Sequence, residues 1–112
     1  MLNRLFALGK MDTAAAKTFW IWFADNEAQI IEAFTAGGQA AMAFIPQIDQ
    51  YLAPVFPYEP NQNIQFQLGC NKGKNEFFFF HLNQKALIRD AQTLKEMMPE
   101  TLRSRWIFVI EA

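Results

Sequence analysis

The chain has 112 residues, with 10 basic and 11 acidic side chains and a formal net charge of −1. Hydrophobic residues make up 52% of it and aromatic residues 15%, which excludes a disordered chain and predicts one domain spanning residues 1–112. The basic residues are scattered, which disfavours nucleic-acid binding, and no stretch is long and apolar enough to cross a membrane.

The cysteine content and the N-terminal residues indicate the cellular compartment of the protein. The single cysteine, Cys70, cannot form an intramolecular disulfide, and no Cys/His pair has the spacing of zinc ligands. Residues 1–11 are a possible N-terminal extension that is too short for the core of a signal peptide. We therefore expect a cytoplasmic protein that uses no metal and no other cofactor.

The first third of the chain is predicted to form two helical pieces. Asp12 or Thr13 can cap the first of them. Asn26 can cap the second, which is expected to end at Gly37-Gly38 because paired glycines favour the left-handed backbone of a helix terminus.

An aromatic cluster at residues 19–23 dominates the first helix. A helix that is hydrophobic nearly all round must be covered on more than one side. We therefore expect Trp20 and Trp22 to take part in contacts with a partner.

A third helix and a proline-rich segment follow. Apolar residues at three- and four-residue steps predict the helix, and Pro46 is expected to kink it. These residues are Ala41, Phe44, Ile45, Ile48, Tyr51, Leu52 and Val55. The three prolines within residues 53–63 predict an extended linker that crosses the surface between the helical and β parts.

In the second half of the chain, the pattern of apolar side chains changes to a period of two residues. Residues 64–68 alternate apolar and polar side chains, residues 69–75 are rich in Gly, Asn and Lys, and residues 77–80 are all phenylalanine. This pattern predicts a β-hairpin.

One more helix and one more strand complete the predicted fold. Asn83 can cap the helix, Pro99 stops it, and residues 104–111 form the last strand. The expected fold class is therefore α+β. We expect a three-stranded antiparallel sheet of order 2-1-3, with the strand at Ile64 in the middle and helices packed on it.

The run of four phenylalanines requires cover on both sides of the sheet, because successive side chains of a strand point to opposite faces. The last helix covers only one face, so we expect the other to be the binding or docking surface. Its expected residues are Gln65, Gln67, Phe77, Phe79 and His81, with either Ile107 and Val109 or Trp106 and Phe108 at the far edge.

No motif predicts catalysis. Residues 69–75 superficially resemble a phosphate-binding loop, but they join two strands and lack its spacing, so we interpret them as a hairpin turn. His81 is interpreted as a hydrogen-bonded residue at a strand end, and Cys70 as a plain thiol. The acidic residues around Glu27 are accounted for by helix ends and solvent.

Residues 19–27 read aromatic-Trp-x-Trp-Phe-x-x-Asn-Glu, and they resemble the opening signature of a family of small, uncharacterised bacterial proteins. The likeness continues to Ile110, through a glycine-containing hairpin, a helix ending at Met98-Pro99, and Trp106 at the start of the last strand. The resemblance implies an α+β fold and a bacterial, cytosolic origin, and it implies no activity. Members often end the last strand with arginine, which this chain lacks, so no anionic-ligand site is expected there.

These observations predict a non-enzymatic binding or protein-interaction module that acts as a homodimer. A protein partner or a small apolar ligand is possible, whereas nucleic acid and membrane are not expected. One alternative is an immunity-like inhibitor of a toxin, although the net charge near zero argues against binding a basic nuclease. The other alternative is a small hydrolase centred on His81.

Overall fold

The computed structural model describes residues 10–58 and 64–112, which form helices and a three-stranded sheet, as predicted for an α+β fold. The predicted N-terminal extension lies outside the described residues except for Lys10 and Met11. The elements in chain order are helices α1 (Thr13–Asp25), α2 (Glu27–Ala36) and α3 (Gly38–Leu52), a 3-10 turn (Ala53–Val55), strands β1 (Gln65–Asn71) and β2 (Lys74–Phe80), helices α4 (Lys85–Glu96) and α5 (Glu100–Arg103), and strand β3 (Trp106–Glu111).

The junctions between the first helices follow from local hydrogen bonding. The Asp12 carboxylate accepts a hydrogen bond from the Ala15 N–H at 3.0 Å and caps α1. Asn26 ends α1 instead of capping α2 with its side chain, because its amide donates backward to the Trp22 carbonyl at 2.8 Å. Gly37, with φ of +73°, then separates α2 from α3, a conformation that glycine adopts without steric cost.

The sheet has the order β1-β2-β3, so the predicted order 2-1-3 is wrong. β1 and β2 form the predicted antiparallel hairpin, but β3 runs parallel to β2, so the sheet is mixed and not antiparallel. The physical reason is the helical crossover through α4, which returns the chain to the end of the sheet where β2 began. The phenylalanine strand thus takes the centre, where both of its edges are paired, and the glutamine-bearing strand takes an edge.

The helical layer packs on the face of the sheet that carries Phe77 and Phe79, which are 1% and 0% exposed. The ring of Phe19 in α1 meets that of Phe77 edge-on, with 6.2 Å between centroids. The Trp20 indole N–H donates to the Leu94 carbonyl at 3.0 Å. This bond joins α1 to α4, so both helices lie on the same side of the sheet.

The predicted surface linker contributes to the core along its first half. Residues Ala53–Val55 form the 3-10 turn, and Phe56 and Tyr58 are 3% and 5% exposed. The Tyr58 hydroxyl donates to the carboxylate of the buried Asp90 in α4. Apolar residues between the prolines therefore bind this segment to the core, and residues 59–63 lie outside the described part of the chain.

Two neighbouring substitutions in β2 test which of its faces is packed. Phe79→Ala is expected to lower the free energy of unfolding by about 3–5 kcal/mol, because it leaves a cavity in the core. Phe80→Ala, on the opposite face, is expected to cost about 1 kcal/mol. Urea denaturation followed by circular dichroism measures both, and equal losses would contradict the assigned faces.

Because of the contact between Tyr58 and Asp90, the free energy of unfolding is expected to fall at alkaline pH. Burial and the Asp90 carboxylate raise the pKa of Tyr58 above its ordinary value of 10.0. A raised pKa in the folded state means that the neutral phenol stabilises the fold below about pH 10, and that this contribution is lost as the pH rises further. Tyr58→Phe leaves the Asp90 carboxylate without this donor, and it is expected to cost about 1–3 kcal/mol at pH 7.

Thermal melts of wild type and Tyr58→Phe from pH 7 to pH 11 check this expectation. The difference in melting temperature should shrink above about pH 10. A difference that stays constant across the whole range would show that the hydroxyl proton does not stabilise the fold.

Candidate functional site

The face of the sheet opposite the helices is the candidate docking surface, and we call it the open face. Its central row places Phe78 of β2 between Gln67 of β1 and Val109 of β3. Ile107 is 50% exposed, and none of these side chains belongs to the buried hydrophobic cluster of the described residues. The open face comprises Gln65, Gln67, Glu76, Phe78, Phe80, Ile107, Val109 and Glu111.

The sequence prediction for this face was partly wrong. The structure places Gln65, Gln67, Ile107 and Val109 there, but Phe77 and Phe79 point to the core instead. The hairpin register decides this, because it pairs Phe77 with Leu68 and Phe79 with Phe66 and so puts all four side chains on one face. Phe78 and Phe80 take the expected places beside the glutamines.

The two tryptophans of α1 differ in exposure. Trp20 is 2% exposed in the core, so the expectation that it contacts a partner is wrong. A helix with sheet on one side and helices on another can bury this ring fully. Trp22 is half-buried and stacks on Tyr51 of α3, with 4.6 Å between ring centroids and an interplanar angle of 13°. Neither tryptophan lies on the open face.

His81 lies at the end of β2, where local hydrogen bonds hold it. Its backbone N–H donates to the Glu111 carbonyl at 2.7 Å, and its Nδ1 accepts the Asn83 N–H at 2.9 Å. Asn83, with φ of +59°, belongs to this turn and does not cap α4, which begins at Lys85. Cys70 lies at the opposite end of the hairpin, roughly 15–20 Å away at strand geometry, so this thiol and this imidazole cannot act together.

Cys70 itself is buried, and burial raises the pKa of its thiol. A protonated, inaccessible thiol is a poor nucleophile. Within the described ranges, no three His, Cys, Asp or Glu side chains cluster closely enough to hold a metal ion.

A cleft of about 250 Å³ runs beside the outer edge of β3. Three consecutive strand residues line it, although neighbours in a strand point to opposite faces, so the cleft follows the strand's edge. We call it the edge cleft, and its lining residues are Lys95, Met98, Arg103, Trp106, Ile107 and Phe108. The sequence prediction missed Lys95 and Arg103 as site residues, because their importance depends on β3 being an edge strand beside the end of α4.

An ionic cluster fixes the start of β3 and therefore the position of the edge cleft. The Arg105 guanidinium donates two hydrogen bonds to the Glu27 carboxylate, each at 2.7 Å, and the Trp106 indole donates a third at 2.9 Å. The amide of the buried Asn75 in β2 donates to the Arg105 carbonyl at 3.1 Å. These bonds join the start of α2, the central strand and the last strand.

Comparisons with known proteins identify no relative: no family model matches the chain, and neither the curated proteins nor the solved structures give a match. The resemblance of residues 19–27 to a bacterial family therefore remains an expectation. No helix in the described part of the chain is long and apolar enough to cross a membrane.

The ionic cluster is expected to make stability depend on pH in the acidic range. The hydrogen bonds from Arg105 hold the pKa of Glu27 below its ordinary value of 4.5. A lowered pKa in the folded state means that the ionised carboxylate stabilises the fold above pH 4.5, and that this contribution is lost as the pH falls. Glu27→Gln should therefore lower the melting temperature at pH 7, and the difference from wild type should narrow between about pH 5 and pH 3.

Glu32→Gln is the matched control, because Glu32 is an exposed carboxylate on the same helix. Differential scanning fluorimetry from pH 3 to pH 8 measures both variants. An equal effect of the two substitutions would contradict a specific role for the ionic cluster.

Proposed function

We propose that this protein is a non-enzymatic interaction module that forms a homodimer through the open face. The observation that carries the proposal is the exposure of apolar side chains on a sheet whose other face packs against the helices. Phe78, Phe80 and Val109 are half-buried and Ile107 is half-exposed, although the opposite face of the same strands is closed by helices. Apolar patches rimmed by polar residues are found at protein–protein interaction sites.

The chemistry of the open face supports a second copy as the occupant. In a two-fold contact each surface meets itself, so charges near its centre would repel their own copies. The centre here is uncharged, with Gln67, Phe78 and Val109 in one row. The carboxylates of Glu76 and Glu111 lie away from this row, where water can solvate them.

The size of the open face limits the affinity of the proposed homodimer. Three strands of six or seven residues present a patch of roughly 15 by 20 Å at ordinary strand spacing. A standard stable interface buries about 800 Å² per partner, which is more than this patch supplies. We therefore infer a dimer with a dissociation constant in the micromolar range.

The two alternative functions have less support. The open face mixes two carboxylates with two amides and a largely apolar centre, which differs from the strong acidic patch of an inhibitor that binds a basic nuclease. A hydrolase centred on His81 needs an orienting carboxylate or a nucleophile, and the hydrogen bonds of His81 in the described part of the chain go to backbone groups.

Sedimentation velocity from about 5 to 500 µM tests the proposal, since this range brackets a micromolar dimer. Wild type is expected to sediment increasingly as a dimer, because apolar rings leave water at the contact. Phe78→Lys should keep the protein monomeric, since two lysines would meet at the two-fold axis.

Ile21→Lys is the control, because Ile21 is 64% exposed on α1, outside the open face. Its dimerisation should match wild type. A wild type that is monomeric at every concentration, or a Phe78→Lys variant that dimerises normally, would refute the proposed function.

A further inference from the structure

We propose that the outer edge of β3 binds the C-terminal segment of a partner polypeptide as an added strand. In this arrangement the terminal carboxylate lies at Arg103 and Lys95, and the last apolar side chain enters the edge cleft. The site is distinct from the centre of the open face, and only Ile107 belongs to both.

The first observation is that the outer edge of β3 is unpaired in the described part of the chain. It is the last strand of the sheet, and its backbone pairs on one side with β2. Within residues 10–58 and 64–112, no other backbone–backbone hydrogen bond reaches residues 107–110. Because alternate residues of a strand direct their N–H and C=O groups outward, this edge offers donors and acceptors to an extended peptide.

The sequence of β3 also lacks the usual protection of an edge strand. Edge strands commonly carry a charge, a proline or a bulge that prevents pairing with other chains. Between Arg105 and Glu111 this strand contains only Trp, Ile, Phe and Val residues, and its ladder with β2 is continuous. An apolar edge of this kind favours pairing with another strand.

The second observation is the size and lining of the edge cleft. Its volume of about 250 Å³ is below the range of about 300–1,000 Å³ found for pockets that enclose whole drug-sized ligands. The space therefore suits a single side chain. Met98, Trp106, Ile107 and Phe108 provide apolar walls, so the side chain it fits is aliphatic or aromatic.

The third observation is the orientation of Arg103. Its Nε donates to the Met98 carbonyl at 2.8 Å, and its Nη2 donates to the Glu96 carbonyl. These two bonds use one edge of the guanidinium and hold it in place. The other edge, formed by Nη1 and the second hydrogen of Nη2, has no partner in the described part of the chain, and it matches a carboxylate in bidentate geometry.

Charge complementarity selects an anion as the occupant. Arg103 and the exposed Lys95 are the charged residues that line the edge cleft, and both are positive. A carboxylate, an apolar side chain and an extended backbone occur together at a polypeptide C-terminus that ends in an apolar residue. A small aryl or aliphatic acid supplies only the first two of these groups.

Isothermal titration with three probes tests the proposal. The first probe is the hexapeptide acetyl-Thr-Val-Thr-Val-Thr-Leu as the free acid, the second is its C-terminal amide, and the third is acetyl-leucine. We expect the free acid to bind about tenfold more tightly than the amide, because the amide loses the charged hydrogen bonds. In ¹⁵N–¹H spectra, the free acid should shift the amide signals of residues 107–110.

Single substitutions test where the free-acid peptide binds. Lys95→Glu should weaken binding of the free acid by about tenfold or more, because it reverses one of the two charges. Lys17→Glu is the matched control on α1, and it should bind like wild type. Arg103→Gln should also weaken binding, and a thermal melt of this variant separates lost recognition from lost folding.

The outcomes distinguish the parts of the proposal. Equal affinity for acid and amide would refute the role of the carboxylate, and binding of acetyl-leucine as tight as that of the hexapeptide would refute the added strand. Absence of binding by all three probes would refute the site. Repeating the titration with Phe78→Lys separates this result from the homodimer, because the edge cleft remains intact in that variant.

Discussion

The packing of Phe77 and Phe79 against the helical layer is the interaction on which the rest of the structure depends. Both rings are almost fully buried, and they are contributed by the one strand that is paired along both edges. Because side chains alternate along a strand, burying these two rings directs Phe78 and Phe80 to the opposite face. The same alternation in β1 and β3 brings the glutamines and Val109 beside them, so the core and the open face are two results of one register.

Much of the fold could be predicted from local patterns, but the sheet topology could not. Helical periodicity located the main helices, and the switch to a period of two located the hairpin. Strand order depends on where β3 pairs after α4, and nothing near residues 104–111 states whether that is beside β1 or β2. The sequence prediction placed Phe77 and Phe79 on the open face, where the structure has Phe78 and Phe80, and this difference has a similar origin. The glycine- and lysine-rich turn allows several registers, and a shift of one residue reverses every side chain.

The candidate sites show the same division between local and long-range information. Strand alternation alone places Gln65 and Gln67 on one face, whereas the choice of Val109 over Phe108 at the far edge needed the register of β3 with β2. Lys95 and Arg103 were not found from the sequence, because they become neighbours only when α4, α5 and β3 meet at the sheet edge. Trp20 was misjudged for the opposite reason, since an aromatic helix favours a contact surface until a second helix is known to cover it. Sequence patterns therefore locate elements and faces better than the spaces between elements.

The ionic cluster at Glu27 also has a consequence for how the protein folds. The bond from Arg105 to Glu27 spans 78 positions of the sequence, and the bond from Trp106 to Glu27 spans 79. The bond from Trp20 to Leu94 spans 74 positions. Contacts so distant require most of the chain to become ordered before they repay the lost entropy, which slows folding. Until β3 docks, the phenylalanine strand has one bare edge, and such intermediates aggregate readily. Slow pairing of β3 with β2 would prolong the exposure of that edge during folding.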